Sequence, residues 1–424
     1  MTSPSESAVA YLVSRYPALS HTFIEREILG LRAEGVRVET FSVRATPPGS
    51  WVSRVMKEEG ARTRPLIGAG RATWIRAHLD LVRRAPDQWL AGIGRALRTG
   101  HRSPKARLWQ VFYFLEAVVL YHDMRRAGLR HVHAHFANVA ADVARHTAAL
   151  GRAVDGPDAG WRWSFTMHGP TGFESVASTD LANKARDADG VSCITDFCRS
   201  QMMWLVEPKH WPKMQVVRMT VDGQSYRPPE APRGHDDGRL RLLDVGRLVA
   251  EKGAPVLVDA VQELRSRGVE VDLKLVGAGP LHESLQADIA ARGLEDSITL
   301  TGPIGQDELP EMYAWADVFV LPSFQEGLPV VLMEALSSGV PAVTTQIAGV
   351  SELIRDGQEG RLVPAGRADL LADALEQLAA DPELRARMGR AGREAVLAEF
   401  TPTTAAPAAR RFVETVQGRA IEAS

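Results

Sequence analysis

A chain of 424 residues is longer than one ordinary hydrophobic core can organise, so two domains are expected. Its 45% hydrophobic and 24% charged residues are those of a soluble globular protein, and a net charge of −2 excludes a general electrostatic attraction to nucleic acid. Cys193 and Cys198 are the only cysteines, too few for a zinc site, and they read as reduced thiols of a cytoplasmic protein.

Residues 1–7 are polar, and the apolar run 8–13 that follows reads as a short buried strand. With no basic start leading into a long apolar stretch, no secretion signal is expected. A loop over 14–20 leads to an amphipathic helix over 21–33, and residues 36–43 alternate as a second strand. Residues 51–130 are different in kind. They hold 16 Lys and Arg against 6 Asp and Glu, a balance of +10 that leaves −12 for the rest of the chain. Trp51, Trp74, Trp89 and Trp109 lie among those arginines. Two readings of this helical insert stand side by side: a surface for an anionic membrane, or a subdomain with a solvated basic face and its tryptophans inside. Its most apolar stretch, 111–121, is about half the length that crosses a bilayer and contains Glu116. Strands ending at residue 136 and over 163–167 and 190–195 complete a parallel sheet covered by helices on both faces.

Residues 226–238 are rich in Pro, Gly and charge and read as a linker. The pattern then restarts, with strands over 240–245, 271–276, 298–301, 318–321 and 342–344 alternating with helices. The expected fold is therefore α/β, with two doubly wound Rossmann-like domains, 1–225 and 239–400, facing across a cleft. A terminal helix over 401–424 is expected to cross back to the first domain.

Three strand-to-helix turns of the second domain carry the chemistry. In Ser323-Phe324-Gln325-Glu326-Gly327-Leu328-Pro329, a strand end and a helix start make an anion site. Gly327 permits close approach of a ligand, and Pro329 suits a first helical turn. Glu334 follows Glu326 by eight residues, roughly 12 Å if the run is helical. Arg247 and Lys252 lie after the domain's first strand, a planar fork and a mobile point charge for phosphate oxygens. Gly277-Ala278-Gly279-Pro280 is a third turn on the same edge. Each feature alone is ordinary, and their concurrence is what points to an anionic donor.

The runs GRLVAEKG and EGLPVVLMEA, with the Gly-x-Pro-Ala-Val after them, resemble glycosyltransferase family 4 of the GT-B fold. The opening YPALSHTFIEREI and the segment HAHF resemble its exopolysaccharide, colanic-acid-type members. The resemblance implies a retaining transfer from a nucleotide sugar, UDP-sugar first, to a saccharide, lipid-linked or small-molecule acceptor. It implies that Arg247 and Lys252 hold the diphosphate, Glu334 the ribose and Glu326 the transferred sugar. Backbone N–H groups of Gly327 and Leu328 would meet sugar or phosphate, Gly277 and Pro329 would shape the donor pocket, and Ile304 would flank the base. Attack would come from the front side, the leaving phosphate taking the acceptor's proton, with Glu326 orienting rather than acting as a covalent nucleophile. His168 would donate a hydrogen bond to the transferred sugar.

On the acceptor side, His135 and His21 are candidates, with a capping role as the alternative for His21. Glu174 stands where many relatives carry an acid soon after the histidine. His133 and His135 share a strand face, but without a carboxylate or third ligand nearby in sequence they are not read as a metal pair; His135 reads as an acceptor-side group, and no metal or other cofactor is expected. Asp187-Ala188-Asp189 imitates a metal-binding Asp-x-Asp yet falls at the amino end of a strand, so it reads as solvated turn acids. A nucleotide-sugar 2-epimerase on the same fold and a non-catalytic partner that has kept it are the competing functions. A cytoplasmic protein, peripheral on the membrane at most, is expected.

Overall fold

The computed structural model describes residues 7–18, 21–51, 53–101, 103–169, 171–230 and 238–419. The polar start at 1–6, residues 19–20 of the first loop, 231–237 of the expected linker and 420–424 of the expected terminal helix lie outside the described residues. The chain divides into two compact units, one of residues 1–218 with 405–424 and one of residues 219–404.

The first unit is built on seven parallel strands: β1 (Ala8–Arg15), β2 (Arg37–Arg44), β3 (Arg64–Ile67), β4 (His131–His135), β5 (Arg162–Met167), β6 (Gly190–Cys193) and β7 (Met214–Val216). Their order is β3-β2-β1-β4-β5-β6-β7, so the winding reverses between β1 and β4. Strands covered on both faces need apolar side chains throughout, and β1 and β4 are buried over nearly their whole length. Among the described residues, helix Pro402–Val416 closes the unit's core, with Phe412, Val413 and Val416 set among Val9, Tyr11 and Ile28.

Residues 51–130 are not the purely helical insert that their composition suggests. They supply β3, an edge strand whose Pro65 pairs with Ser42 of β2, and Pro is tolerated only at such edges. The apolar run 111–121 lies in helix Pro104–Arg126, which buries Phe114, Val118, Leu120 and Tyr121 and links β3 to β4. It is a core helix. Trp74 and Trp89 are tied inside this region by their N–H groups, to the Leu66 carbonyl and to His78, whereas Trp109 is exposed. Among the described residues no helix is long and apolar enough to cross a membrane.

The second unit has six parallel strands: β8 (Leu240–Val245), β9 (Val271–Val276), β10 (Ile298–Gly302), β11 (Val318–Leu321), β12 (Ala342–Thr345) and β13 (Gly360–Val363), the last unexpected from its short, broken apolar pattern. The order β10-β9-β8-β11-β12-β13 reverses between β8 and β11. In a doubly wound sheet the carboxyl ends of the strands at such a reversal open a crevice, because the helices that follow leave to opposite faces.

Backbone packing fixes the turns around this crevice. Gly277 has φ +149, and a Cβ there would stand 1.8 Å from the Gly246 carbonyl oxygen. Gly253 has φ +70, and its Cβ would stand 2.2 Å from the Pro322 oxygen. The turns after β8, β9 and β11 therefore touch through main chain, with Phe324 N–H on the Glu251 carbonyl and Leu248 N–H on that of Ala278. We predict that Gly277→Ala costs on the order of 2 kcal/mol or more, since backbone has to move. Gly268→Ala, at φ +79 in open space, should cost only about 1 kcal/mol of backbone strain. Denaturant melts of both variants check the difference, and equal losses would refute the packing argument.

Candidate active site

Lys252 ends a short 3-10 turn after β8, and Glu326 lies in the turn after β11. Lys252 Nζ stands 2.6 Å from Glu326 Oε1, and the same oxygen accepts from Ser323 Oγ at 2.7 Å. Glu326 is buried, and the lysine is mostly so. Arg247 instead points to solvent, with its side chain 73% exposed and only Glu251 within 3.5 Å. The two cations thus differ: one is locked to the candidate sugar-binding acid, the other is free to swing. Beneath them lies Asp244, buried at the end of β8 with Oδ1 unpartnered.

Glu334 is also buried and accepts a hydrogen bond from Tyr313 at 3.0 Å, a partner that sequence spacing gave no means to find. Helix Val330–Ser337 begins only after Pro329, which is its N-cap. Residues 326–329 are therefore turn, so the expected all-helical span from Glu326 to Glu334 does not hold. Gly327, Leu328 and Pro329 lie in that turn, Gly277 at the end of β9, and Ile304 half-buried just past β10, all on the carboxyl edge of the sheet.

In the first unit His135 ends β4, and its Nδ1 lies 2.8 Å from Nε2 of His168, which follows β5. His135 Nε2 faces Glu27 of helix Thr22–Ala33 at 3.6 Å, and Glu27 accepts the Tyr11 hydroxyl at 2.6 Å. The structure thus supplies the carboxylate that sequence proximity did not show: donor atoms of Glu27, His133 and His135 lie within 4.8 Å of one another. These three could hold a metal ion, but both His133 nitrogens already bond hydroxyls of Ser164 and Thr166. Burial lowers the pKa of His135 far below the usual value and that of His168 to about 3, so both rings are neutral, and it raises Glu27 to about 7. A carboxyl facing His135 Nε2 favours a proton there. Which ring donates between His135 Nδ1 and His168 Nε2 is set by the tautomer, and Nδ1 of His168 has no hydrogen-bond partner among the described residues.

His21 occupies the N-cap position of its helix without a capping bond, and its Nδ1 donates to the Arg15 carbonyl at 3.1 Å, so the capping alternative fails. Glu174 is exposed at the end of a four-residue helix, without a hydrogen-bond or ion-pair partner among the described residues. Asp187 and Asp189 are not merely solvated: they pair with Arg145 and Arg152, and Asp189 also accepts the Trp163 N–H, at the amino edge of the sheet. Cys198 lies in helix Asp196–Trp204, and both thiols are buried and free.

Asp244 gives the pH dependence a sign. Loss of solvent pushes its carboxyl up to about 7 from an ordinary 3.8, with Lys252 opposing the rise and Glu326 adding to it. Between those values the native state holds a proton that the unfolded chain has lost. Stability from this group is therefore full below about pH 4 and falls as pH rises toward 7, by on the order of a few kcal/mol. Asp244→Asn should remove this fall, so that variant and wild type diverge between denaturant titrations at pH 5 and pH 8. Parallel curves would refute the assignment.

Residues 230–395 match the family described as Glycosyl transferases group 1. Over 53% of its length the chain is 34% identical to the alpha-D-kanosaminyltransferase of Streptomyces kanamyceticus. Over 39% it is 35% identical to the amylovoran biosynthesis glycosyltransferase AmsK of Erwinia amylovora. These matches span 60% and 42% of the two relatives, less than two thirds of either. Among solved structures, Anabaena HepE in complex with UDP matches at a TM-score of 0.72 over 96% of this chain and 100% of that one, with 14% identity, a likeness of fold. Residues 230–395 thus match the domain of the group 1 glycosyl transferases, and the two Rossmann-like units have the GT-B fold.

Proposed function

We propose that the chain transfers a sugar, with retention and without a metal ion, from a nucleoside-diphosphate sugar to a hydroxyl of a saccharide, lipid-linked or small-molecule acceptor. The observation that carries this is the Lys252–Glu326 pair at 2.6 Å on the reversal point of the second sheet. An ammonium tied to a sugar-binding carboxylate sits where a diphosphate meets its sugar, and Arg247 is free to close on the outer phosphate oxygens. Glu326 Oε1 already accepts from both Lys252 and Ser323, which blunts it as a nucleophile. That favours attack from the side of the leaving group, with the acceptor's proton passing to the departing phosphate, over a covalent glycosyl-enzyme. Buried Glu334, steadied by Tyr313, would accept from the ribose hydroxyls. His168, held neutral by burial, would hydrogen-bond a sugar hydroxyl. A UDP-sugar is the first donor to try, because a fold neighbour binds UDP.

The first unit also offers a lipid-facing surface. Ile67, Ile75, Leu79, Leu90, Leu97 and Leu108 are all exposed within the basic stretch 51–130. Apolar side chains that insert at the headgroup level, among arginines that meet anionic lipid, form a peripheral membrane contact.

UDP at saturating concentration should raise the melting temperature by several degrees, since at about 100 times Kd a ligand adds roughly 2.7 kcal/mol. Lys252→Ala and Glu326→Ala should each cut transfer about 100-fold or more with folding retained. Wild-type turnover in either would sink the site, and epimer formed from donor alone would replace transfer by epimerisation. On vesicles, binding should require anionic lipid and weaken with salt. Equal partitioning onto neutral vesicles would reject the membrane contact.

A further inference from the structure

Two cavities of the first unit adjoin at Ile67, which lines both. The first, about 460 Å³, lies beyond the carboxyl ends of β1, β2 and β3 against helix Pro104–Arg126. Arg15 and Arg44 line it and are exposed, and neither has a carboxylate partner among the described residues. Trp109, stacked on Tyr113 at 6.1 Å, gives it a flat aromatic wall. Glu116 also lines it, buried, with Oε2 lacking any partner. Burial pushes this carboxyl up to about 7, so near neutrality it can carry a proton to donate. The second cavity, about 520 Å³, is walled by Ile67, Gly68, Gly70, Arg71, Trp74 and Ile75 and is almost wholly apolar.

We propose that the two cavities form one site for an anionic amphiphile, its charged head between Arg15, Arg44 and Trp109 and its hydrocarbon chain over Ile67 against Trp74 and Ile75. Charge decides the head: two exposed guanidinium groups outside any close ion pair, Arg44 acting on Glu116 only at longer range, attract an anion, and a protonated carboxyl can donate to one of its oxygens. An unpartnered buried carboxyl is costly until such a partner arrives. The apolar lining decides the tail, since an aqueous ligand would leave Trp74, Ile67 and Ile75 wet. Taken as the acceptor site, this rests on the glycosyl-transfer reading. His21 and Phe136 line the head cavity, and the Phe136 ring lies 4.6 Å from that of His168, so a hydroxyl on the head comes near the imidazole.

Calorimetry on the full chain tests it with octyl phosphate, octanoate, octyl glucoside and ethyl phosphate, each below its micelle concentration. Octyl phosphate should bind one molecule per chain at least about tenfold tighter than either octyl glucoside or ethyl phosphate. Octanoate matching octyl phosphate would mean that any anionic head suffices, and octanoate matching the glucoside that phosphate is required; either supports the site. Arg44→Gln should abolish the preference for phosphate over glucoside, and Ile75→Asp the preference for octyl over ethyl. Both positions are exposed, so folding is retained, and UDP stabilisation should be unchanged in both variants. Octyl phosphate binding no tighter than the controls, or at full affinity in both variants, overturns the inference. Absence of UDP binding by the wild type would instead count against glycosyl transfer and leave the amphiphile site standing.

Discussion

Main chain pressed on main chain at the carboxyl end of β8 governs the second unit. Where Gly277 meets the Gly246 carbonyl and Gly253 meets that of Pro322, no side chain can intervene, so three turns are held at a fixed separation. That separation brings Lys252, from one turn, onto Glu326, from another 74 residues away. An exposed ion pair of this kind would contribute little. Here the carboxylate is buried and its oxygen bridged by Ser323, so removing either partner strands the other in a poorly solvated place. Asp244 beneath them adds a third titratable group, whose burial raises its pKa to about 7 and so leaves it less ionised near neutrality than an exposed aspartate.

The first unit uses the same topology with the opposite electrostatics. Its winding also reverses between its first and fourth strands, and the groups gathered there are Tyr11, Glu27, His135 and His168. Burial strips the charge from the imidazoles instead of pairing it. A chain of neutral hydrogen bonds then sets which ring nitrogen carries a proton, and a group that keeps one tautomer gives a sugar hydroxyl one kind of partner. The phenyl rings of Phe23 and Phe136, 4.8 and 4.6 Å from the His168 ring, keep it dry enough for this to hold.

The features legible in the sequence were those with a local signature. Both parallel sheets followed from apolar runs punctuated by turns, and the carboxyl-edge placement of Arg247, Lys252, Gly277 and Glu326 followed from their position after strands. What could not be read depended on contacts distant in sequence. Tyr313 on Glu334 and Glu27 on His135 join residues 21 and 108 positions apart in the chain, and no spacing rule reaches them. The strand β3 was hidden because four residues with a proline and an arginine, RPLI, carry no alternation, and the basic composition around them argued for a surface feature. The Asp187 and Asp189 pairs were missed for a related reason: their arginines come from a helix some forty residues earlier.

The lysine at the centre of the donor edge need not release its acid when a nucleotide sugar arrives. An ammonium has three N–H groups, and Glu326 takes one of them at 2.6 Å. Two remain, directed away from the carboxylate, and would be available to phosphate oxygens. The same pair can then orient the sugar through Glu326 and carry the leaving charge through Lys252 without rearranging. Arg247, exposed and held only by Glu251 at 3.5 Å, is the cation with freedom to move. In the proposed transfer, closure on the donor would fall to the arginine, while the lysine would supply a pre-set field whose reorganisation cost was met when the three glycine turns folded together.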